Sequence, residues 1–412
     1  MKAAILRKKY PSFIYESFEW ALKKGNLDIS FSFKVEPDIV FHPRLSIKKV
    51  SKMGLKKETL DNFVFHLGLI EMLSYWKATC SPKIIIQAGR MDSWQKNWWK
   101  DLITRGMGQF FYENKIDWRE PDFLEIISSG PSFMGFASEE LKDRYLVPMG
   151  GGKDSIVTLE KLKELDKEIN CFAVNPGQAT KNVLKVAGIK NPIIVERTID
   201  PLLLDMNKKG FLNGHTPFTA LLSFLSVFCA VLFNYGNVVF SNEKSSNEGN
   251  VEYLGSFINH QYSKSSEFEK RFKQYCRKYL ANNLSYTSYL RKYSELEIAK
   301  MFTKYPKYFS TFSSCNQGLK TGERWCGNCP KCLFVYLALY PHLISEEILK
   351  IFNQDLFENR KLLPIMKELL GQGNKKPFEC VGTFQESRLA FGLSLKKAQK
   401  SGKLPYLLAK LS

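Results

Sequence analysis

Three consecutive glycines, Gly150, Gly151 and Gly152, constrain this chain more than any other feature. A short apolar run, Tyr145-Leu146-Val147, leads into them. A helical pattern over Asp154 to Lys167 leads out, with Ile156, Leu159, Leu162 and Leu165 at helical spacing. A strand, a glycine turn and a helix start form an anion site, because backbone N–H groups and the helix dipole converge on one point. Two common phosphate sites are excluded. A Walker-type P-loop would need a glycine at position 147 and a hydroxyl residue at 154, where Val147 and Asp154 stand. A dinucleotide fingerprint would need a glycine at position 155, which is Ser155.

The pattern around the loop alternates. Strands are predicted over 169–174, 192–195 and 237–241, and helices over 181–187 and 218–233. Thr216 is the expected N-cap of the last helix and Pro217 its first residue. Alternating strand and helix implies an α/β fold with a doubly wound parallel sheet. Residues 1–140 read as a mixed α/β domain. It has an amphipathic helix over 57–73, a buried strand at 83–87 and a Trp-rich helix over 93–112. The loop and the cysteines fall in a second unit, 141–340, and residues 341–412 read as helical. In a doubly wound sheet ligands bind beyond the carboxyl ends of strands. That places Val174 and Asn175 beside the expected anion, with Gly150, Gly151, Gly152, Lys153, Asp154 and Ser155.

The chain has 412 residues, 44% hydrophobic and 25% charged, with a formal charge of +19. This is a folded composition with a basic surface suited to an anionic partner, nucleic acid or a phosphorylated small molecule. The 218–233 run is too short and too rich in hydroxyls to span a bilayer, so it reads as a core helix. No apolar signal segment is legible at Met1 to Tyr10, and a cytoplasmic location is expected. Cys326, Cys329 and Cys332 stand at C-x2-C-x2-C spacing, and Cys315 lies eleven residues before the first. Four thiols in a reducing compartment suit a structural Zn²⁺; an iron–sulfur cluster is the alternative.

The run Gly150 to Ser155 resembles the PP-loop of ATP pyrophosphatases, S-G-G-x-D-S, with Gly150 in place of the first serine. The resemblance implies an adenine nucleotide alpha-hydrolase-like fold and cleavage of ATP between its α and β phosphates. Lys153 and Ser155 would lie on phosphate oxygens and Asp154 near Mg²⁺. A closer resemblance rests on several segments in order: SYWKA at Ser74, NGHTPFTA at Asn213, FSNEKSS at Phe240, NHQYSK at Asn259, SEL at Ser294, FSSCN at Phe312, RWCGNCPKC at Arg324 and KPFECVG at Lys376. Together they resemble the MurL family of UDP-N-acetylmuramoyl-L-alanyl-L-glutamate epimerases. That resemblance implies inversion of the terminal glutamate, with Mg²⁺ and ATP consumed to AMP and diphosphate. It implies a UDP-linked muramoyl dipeptide as substrate, no nucleic-acid or membrane partner, and a functional link to a ligase that adds L-glutamate. Candidate proton-transfer residues are His215, His260, Cys380, Glu379 and Glu243. Asn213, Asn242, Glu243, Lys244, Ser245, Ser246 and Lys264 are the expected substrate contacts. The rival reading is a PP-loop enzyme of tRNA modification or of a deazapurine pathway, which would adenylate a different acceptor.

Overall fold

The computed structural model describes residues 2–50, 54–133, 140–373 and 375–412. Its strands, in chain order, are β1 (Ser12–Lys23), β2 (Asn26–Val35), β3 (Ile39–Phe41), β4 (Arg44–Ile47), β5 (Lys83–Ile86), β6 (Glu125–Ser128), β7 (Tyr145–Pro148), β8 (Ile169–Val174), β9 (Ile193–Thr198), β10 (Asn237–Phe240), β11 (Val251–Tyr253), β12 (Ser256–Ile258) and β13 (Ser285–Ser288). All but β11 and β12 join one sheet of eleven strands. One half is the parallel run β13-β10-β7-β8-β9. Read from β9, its order along the chain is 3-2-1-4-5, the doubly wound arrangement, with the switch between β7 and β10.

Both faces of this half are covered, and the strands record it residue by residue. Leu146 and Val238 pack in the cluster that includes Leu225 and Phe228 of the Phe218–Leu232 helix. The next residues, Val147 and Val239, pack with Leu162 of the Lys153–Glu164 helix. Successive strand side chains point to opposite faces, so a continuous apolar run is what a doubly covered parallel strand requires.

The sheet runs on through the boundary expected at residue 140. β4 pairs antiparallel with β9, matching Ile47 to Val195, and β2 and β1 follow antiparallel. β5 and β6 then extend the edge in parallel with β1. The long β1–β2 hairpin lies outside the expected elements. Its signal is in the sequence: Leu27, Ile29, Phe31, Phe33 and Val35 are buried, and each residue between them is half-buried.

The expected helices form with small shifts. The Trp-rich segment breaks at Met107 into Ser93–Gly106 and Gly108–Glu113. The core helix begins at Phe218, one residue later than expected. Pro217, at ψ 72°, holds the cap position, and no side chain caps the end. No helix of the described residues is long and apolar enough to cross a membrane. Beyond residue 340 the Ser345–Phe352, Leu363–Leu369 and Phe384–Lys400 helices pack on the buried Pro330–Leu339 helix, in a second apolar cluster.

Candidate active site

A cavity of about 310 Å³ opens at the switch point, beyond the carboxyl ends of β7, β8 and β10. Its apolar wall includes Phe172, Val174, Phe218, Leu222 and Phe240. Gly150, Gly152, Asp154 and Ser155 form its floor. Two of the three glycines answer a steric demand. Gly151 sits at φ +83°, and a Cβ there would meet the Thr180 amide at 3.0 Å. A Cβ on Gly152 would meet Ser314 Oγ at 2.6 Å. A Cβ on Gly150 would meet nothing within 4 Å. Thr180 Oγ1 donates to the Gly150 carbonyl (3.1 Å), and the Ser313 amide donates to the Gly151 carbonyl (3.0 Å). The Lys153–Glu164 helix has Gly152 at its N-cap and no side-chain cap, so its first N–H groups have no side-chain acceptor there.

Charged groups surround this floor. Lys153 is buried, and its ammonium is ion-paired with Asp154 and Glu295. Burial penalises its charge, but the two carboxylates hold it protonated. Lys153 is therefore turned into the protein, and the cations that line the cavity are Lys264 and Lys331. Asp154 lines it too. Burial works against its charge, yet Lys153 and Lys331 keep it below the usual carboxylate range. Glu243, in the loop that follows β10, is pushed the other way, chiefly by burial.

Cys380 lies on the same cavity. Its sulfur is 3.1 Å from Lys264 Nζ and 4.0 Å from His260 Nε2. Burial opposes the thiolate, but Lys264 and Lys331 outweigh it and hold the thiol below its ordinary value. The tautomer of His260 follows from its neighbours. Asn250 Oδ1 accepts from the His260 backbone amide (3.1 Å), so it also accepts from Nδ1–H (3.0 Å). That leaves a lone pair on Nε2 facing the sulfur. Burial, then Lys264, lowers His260 to about 3, so the ring is neutral. Asn250 also ties the strand of chain carrying Cys380 in place. Its Nδ2 donates to Pro377 O (2.8 Å), and its carbonyl accepts from the Lys376 amide (3.1 Å). The Lys331 ammonium donates to the Cys380 carbonyl.

The four expected thiols meet. Cys315, Cys326, Cys329 and Cys332 offer sulfurs that all lie within 4.8 Å of one another. Cys315–Cys329 and Cys326–Cys332 are each 3.8 Å apart. Tetrahedral coordination with bonds near 2.3 Å puts sulfurs about 3.8 Å apart, so the cluster has the size of one metal ion. The Gly318 amide donates to Cys315 Sγ (3.1 Å). This cluster adjoins the cavity directly. Ser313, Ser314 and Asn316, which line the cavity, flank Cys315, and Lys331 stands between Cys329 and Cys332.

Other expected residues lie elsewhere. Asn175 is exposed and braces β8 to β9, donating to the Arg197 carbonyl (2.7 Å) and accepting from its amide (2.8 Å). Asn213 and Lys244 are exposed and do not line the cavity. Ser246 is buried, donating to the carbonyls of Glu243 (2.7 Å) and Lys264 (3.1 Å). Ser245 is buried beside it, whereas Asn242 lines the cavity and donates to Ser288 Oγ (3.1 Å). Glu379 accepts from Asn316 (3.0 Å) outside the lining, with burial pushing its carboxyl up. His215 stacks edge-on against His260 at 6.0 Å and is also held neutral by burial, near 3. Lys331, Glu295 and Asn250 belong to the site without having been expected there. SEL and the cysteine motif contain the first two, but no spacing rule marks them.

Residues 5–289 match the family model described as the MurL N-terminal domain, and residues 311–409 match the MurL C-terminal domain. The chain is 35% identical over 347 residues to the UDP-N-acetyl-alpha-D-muramoyl-L-alanyl-L-glutamate epimerase of a Micromonospora species, spanning 83% of this chain and 76% of that protein. It is 36% identical over 343 residues to the protein of the same name from Salinispora tropica, with 81% and 73% covered. It is 34% identical over 385 residues to that from Xanthomonas oryzae pv. oryzae, with 91% and 84% covered.

Proposed function

The chain belongs to the MurL family, and we propose that it inverts the terminal glutamate of UDP-N-acetylmuramoyl-L-alanyl-L-glutamate, from L to D, for peptidoglycan synthesis. The observation that carries the reading is a juxtaposition. One cavity holds both an anion cradle, at the glycine loop, and a titratable thiol, Cys380, whose sulfur lies 3.1 Å from Lys264 Nζ.

The chemistry explains why both are needed. A free carboxylate resists loss of its α-proton, because the product would be a dianion. Adenylation removes that negative charge and turns the acyl carbon into an electron sink. ATP is thus a co-substrate, cleaved to AMP and diphosphate. The uncapped helix start and the open face of Gly150 give its phosphates room and donors. Asp154 and Glu243 are the lining carboxylates that would hold Mg²⁺. Lys264 and Lys331 face the anionic groups as point charges. The apolar wall suits the adenine ring. The four thiols would hold a structural Zn²⁺, a reading supported by sulfurs that all lie within 4.8 Å of one another. The substrate, a nucleotide diphosphate with carboxylates, would give the +19 chain an anionic small-molecule partner. A ligase that adds L-glutamate would supply it.

The test compares ATP with its α,β-methylene analogue, which cannot be cut between those phosphates. The expected result is D-glutamate, after acid hydrolysis, with ATP and none with the analogue. Inversion with the analogue would refute the ATP step, and L-glutamate alone in both would refute the epimerase.

A further inference from the structure

The proton-transfer group can be found by elimination. Of the five candidates, Cys380 and Glu243 line the cavity; Glu379 and His215 do not, and His260 lies behind the sulfur. Glu243 is, with Asp154, one of the two lining carboxylates assigned above to Mg²⁺, which leaves Cys380. Lys264 and Lys331 are ammonium groups with no lone pair. Asp154 is engaged by Lys153 at the loop. Cys380 is also served in both of its protonation states. Lys264 Nζ, at 3.1 Å, stabilises a thiolate, and the bare Nε2 of His260, at 4.0 Å, receives the hydrogen of a thiol. An acid–base residue needs that double provision, and a structural cysteine does not. The other cysteines are either buried or belong to the four-thiol cluster.

We propose that Cys380 takes the α-proton of the activated glutamyl group, with His260 as its positioning residue, a reading that rests on the function proposed above. The Cα–H bond breaks, its electron pair passes to the acyl oxygen, and the proton becomes the S–H of Cys380. A solvent proton forms the new bond on the opposite face of the planar carbon. The sulfur proton leaves to solvent, which restores the thiolate.

The experiment uses the full enzyme, Mg-ATP and the UDP-linked dipeptide in deuterated water. AMP release and deuterium at Cα are followed separately. Cys380→Ala is expected to release AMP near the wild-type rate and to lose Cα exchange by roughly 10²–10⁴-fold. Native enzyme alkylated at Cys380 makes the same comparison without a folding risk, with the labelled site read by mass spectrometry. His260→Ala is expected to shift the pH profile of Cys380 alkylation downward, because the thiol form loses its acceptor. Wild-type exchange in Cys380→Ala, or in the alkylated enzyme, overturns the assignment. So does loss of AMP release in a folded Cys380→Ala, which would place the thiol in the adenylation step. An unshifted alkylation profile in His260→Ala removes the role of His260. If wild-type enzyme releases no AMP at all, the failure is that of the underlying adenylation reading.

Discussion

Gly150 and Gly151 are neighbours in the loop, but a side chain would fare differently at each. At Gly151 the backbone is left-handed and the Thr180 amide stands 3.0 Å from the added carbon. Gly151→Ala should cost about 1–2 kcal/mol of stability and impair nucleotide binding, read by urea titration and by ATP affinity. Gly150→Ser meets open space and should stay within about 0.5 kcal/mol of the parent. A result with the two reversed would mean that the loop has another conformation. At this scale the sequence was informative where chemistry is local. Gly150 to Ser155 and the four cysteines are legible because neighbours in the chain make the site. Asn250 was not, because its value lies in pinning His260 and Pro377, ten and 127 residues away. The ion pairing of the loop lysine was not legible either, for the same reason. Lys153 is adjacent to the phosphate site in sequence, but Glu295, 142 residues on, draws it inward.

Between elements, two contacts tie the site to the rest of the fold. The first is a buried ion pair between the Lys57–Glu71 helix and β9. Arg197 Nε donates to both oxygens of Glu71, at 3.0 and 2.8 Å, and Glu71 is fully buried. Removing one partner of such a pair leaves an uncompensated charge. Glu71→Ala should therefore destabilise by about 3–5 kcal/mol, measured by chemical denaturation. A loss under about 1 kcal/mol would mean that the pair is solvated. The second is the thiol cluster, which carries Ser313, Ser314, Asn316 and Lys331 to the cavity. If these thiols hold the Zn²⁺ proposed above, a chelator should abolish turnover and lower the melting temperature together, with both restored by Zn²⁺. Activity that survives complete removal, shown by metal analysis, would contradict this coupling. The β1–β2 hairpin is the element the sequence offered most clearly and that was not expected, since its period of two runs unbroken from Leu27 to Val35.

Across the whole molecule, burial lowers four histidines, and three of them strongly: His66 near 4, and His215 and His260 near 3. Each would take a proton near pH 6.5 once unfolded. Between those values the unfolded chain binds more protons, so stability is complete above about pH 6.5 and falls as the pH drops toward 4. The slope should approach roughly 1.4 kcal/mol per pH unit for each histidine, read from urea midpoints across that window. A flat profile would mean that the rings are hydrated. The doubly wound half of the fold was legible from alternating strands and helices around the loop. Its fusion into one sheet with the N-terminal strands was not, because the β4–β9 pairing joins residues about 150 apart with no local signal. The central claim is that one cavity first activates a carboxylate and then exchanges its α-proton. Purified protein, Mg-ATP and UDP-N-acetylmuramoyl-L-alanyl-L-glutamate in deuterated water test it in a single vessel. The predicted result is AMP together with D-glutamate carrying deuterium at Cα. AMP with unexchanged L-glutamate, or inversion with no ATP consumed, would contradict it.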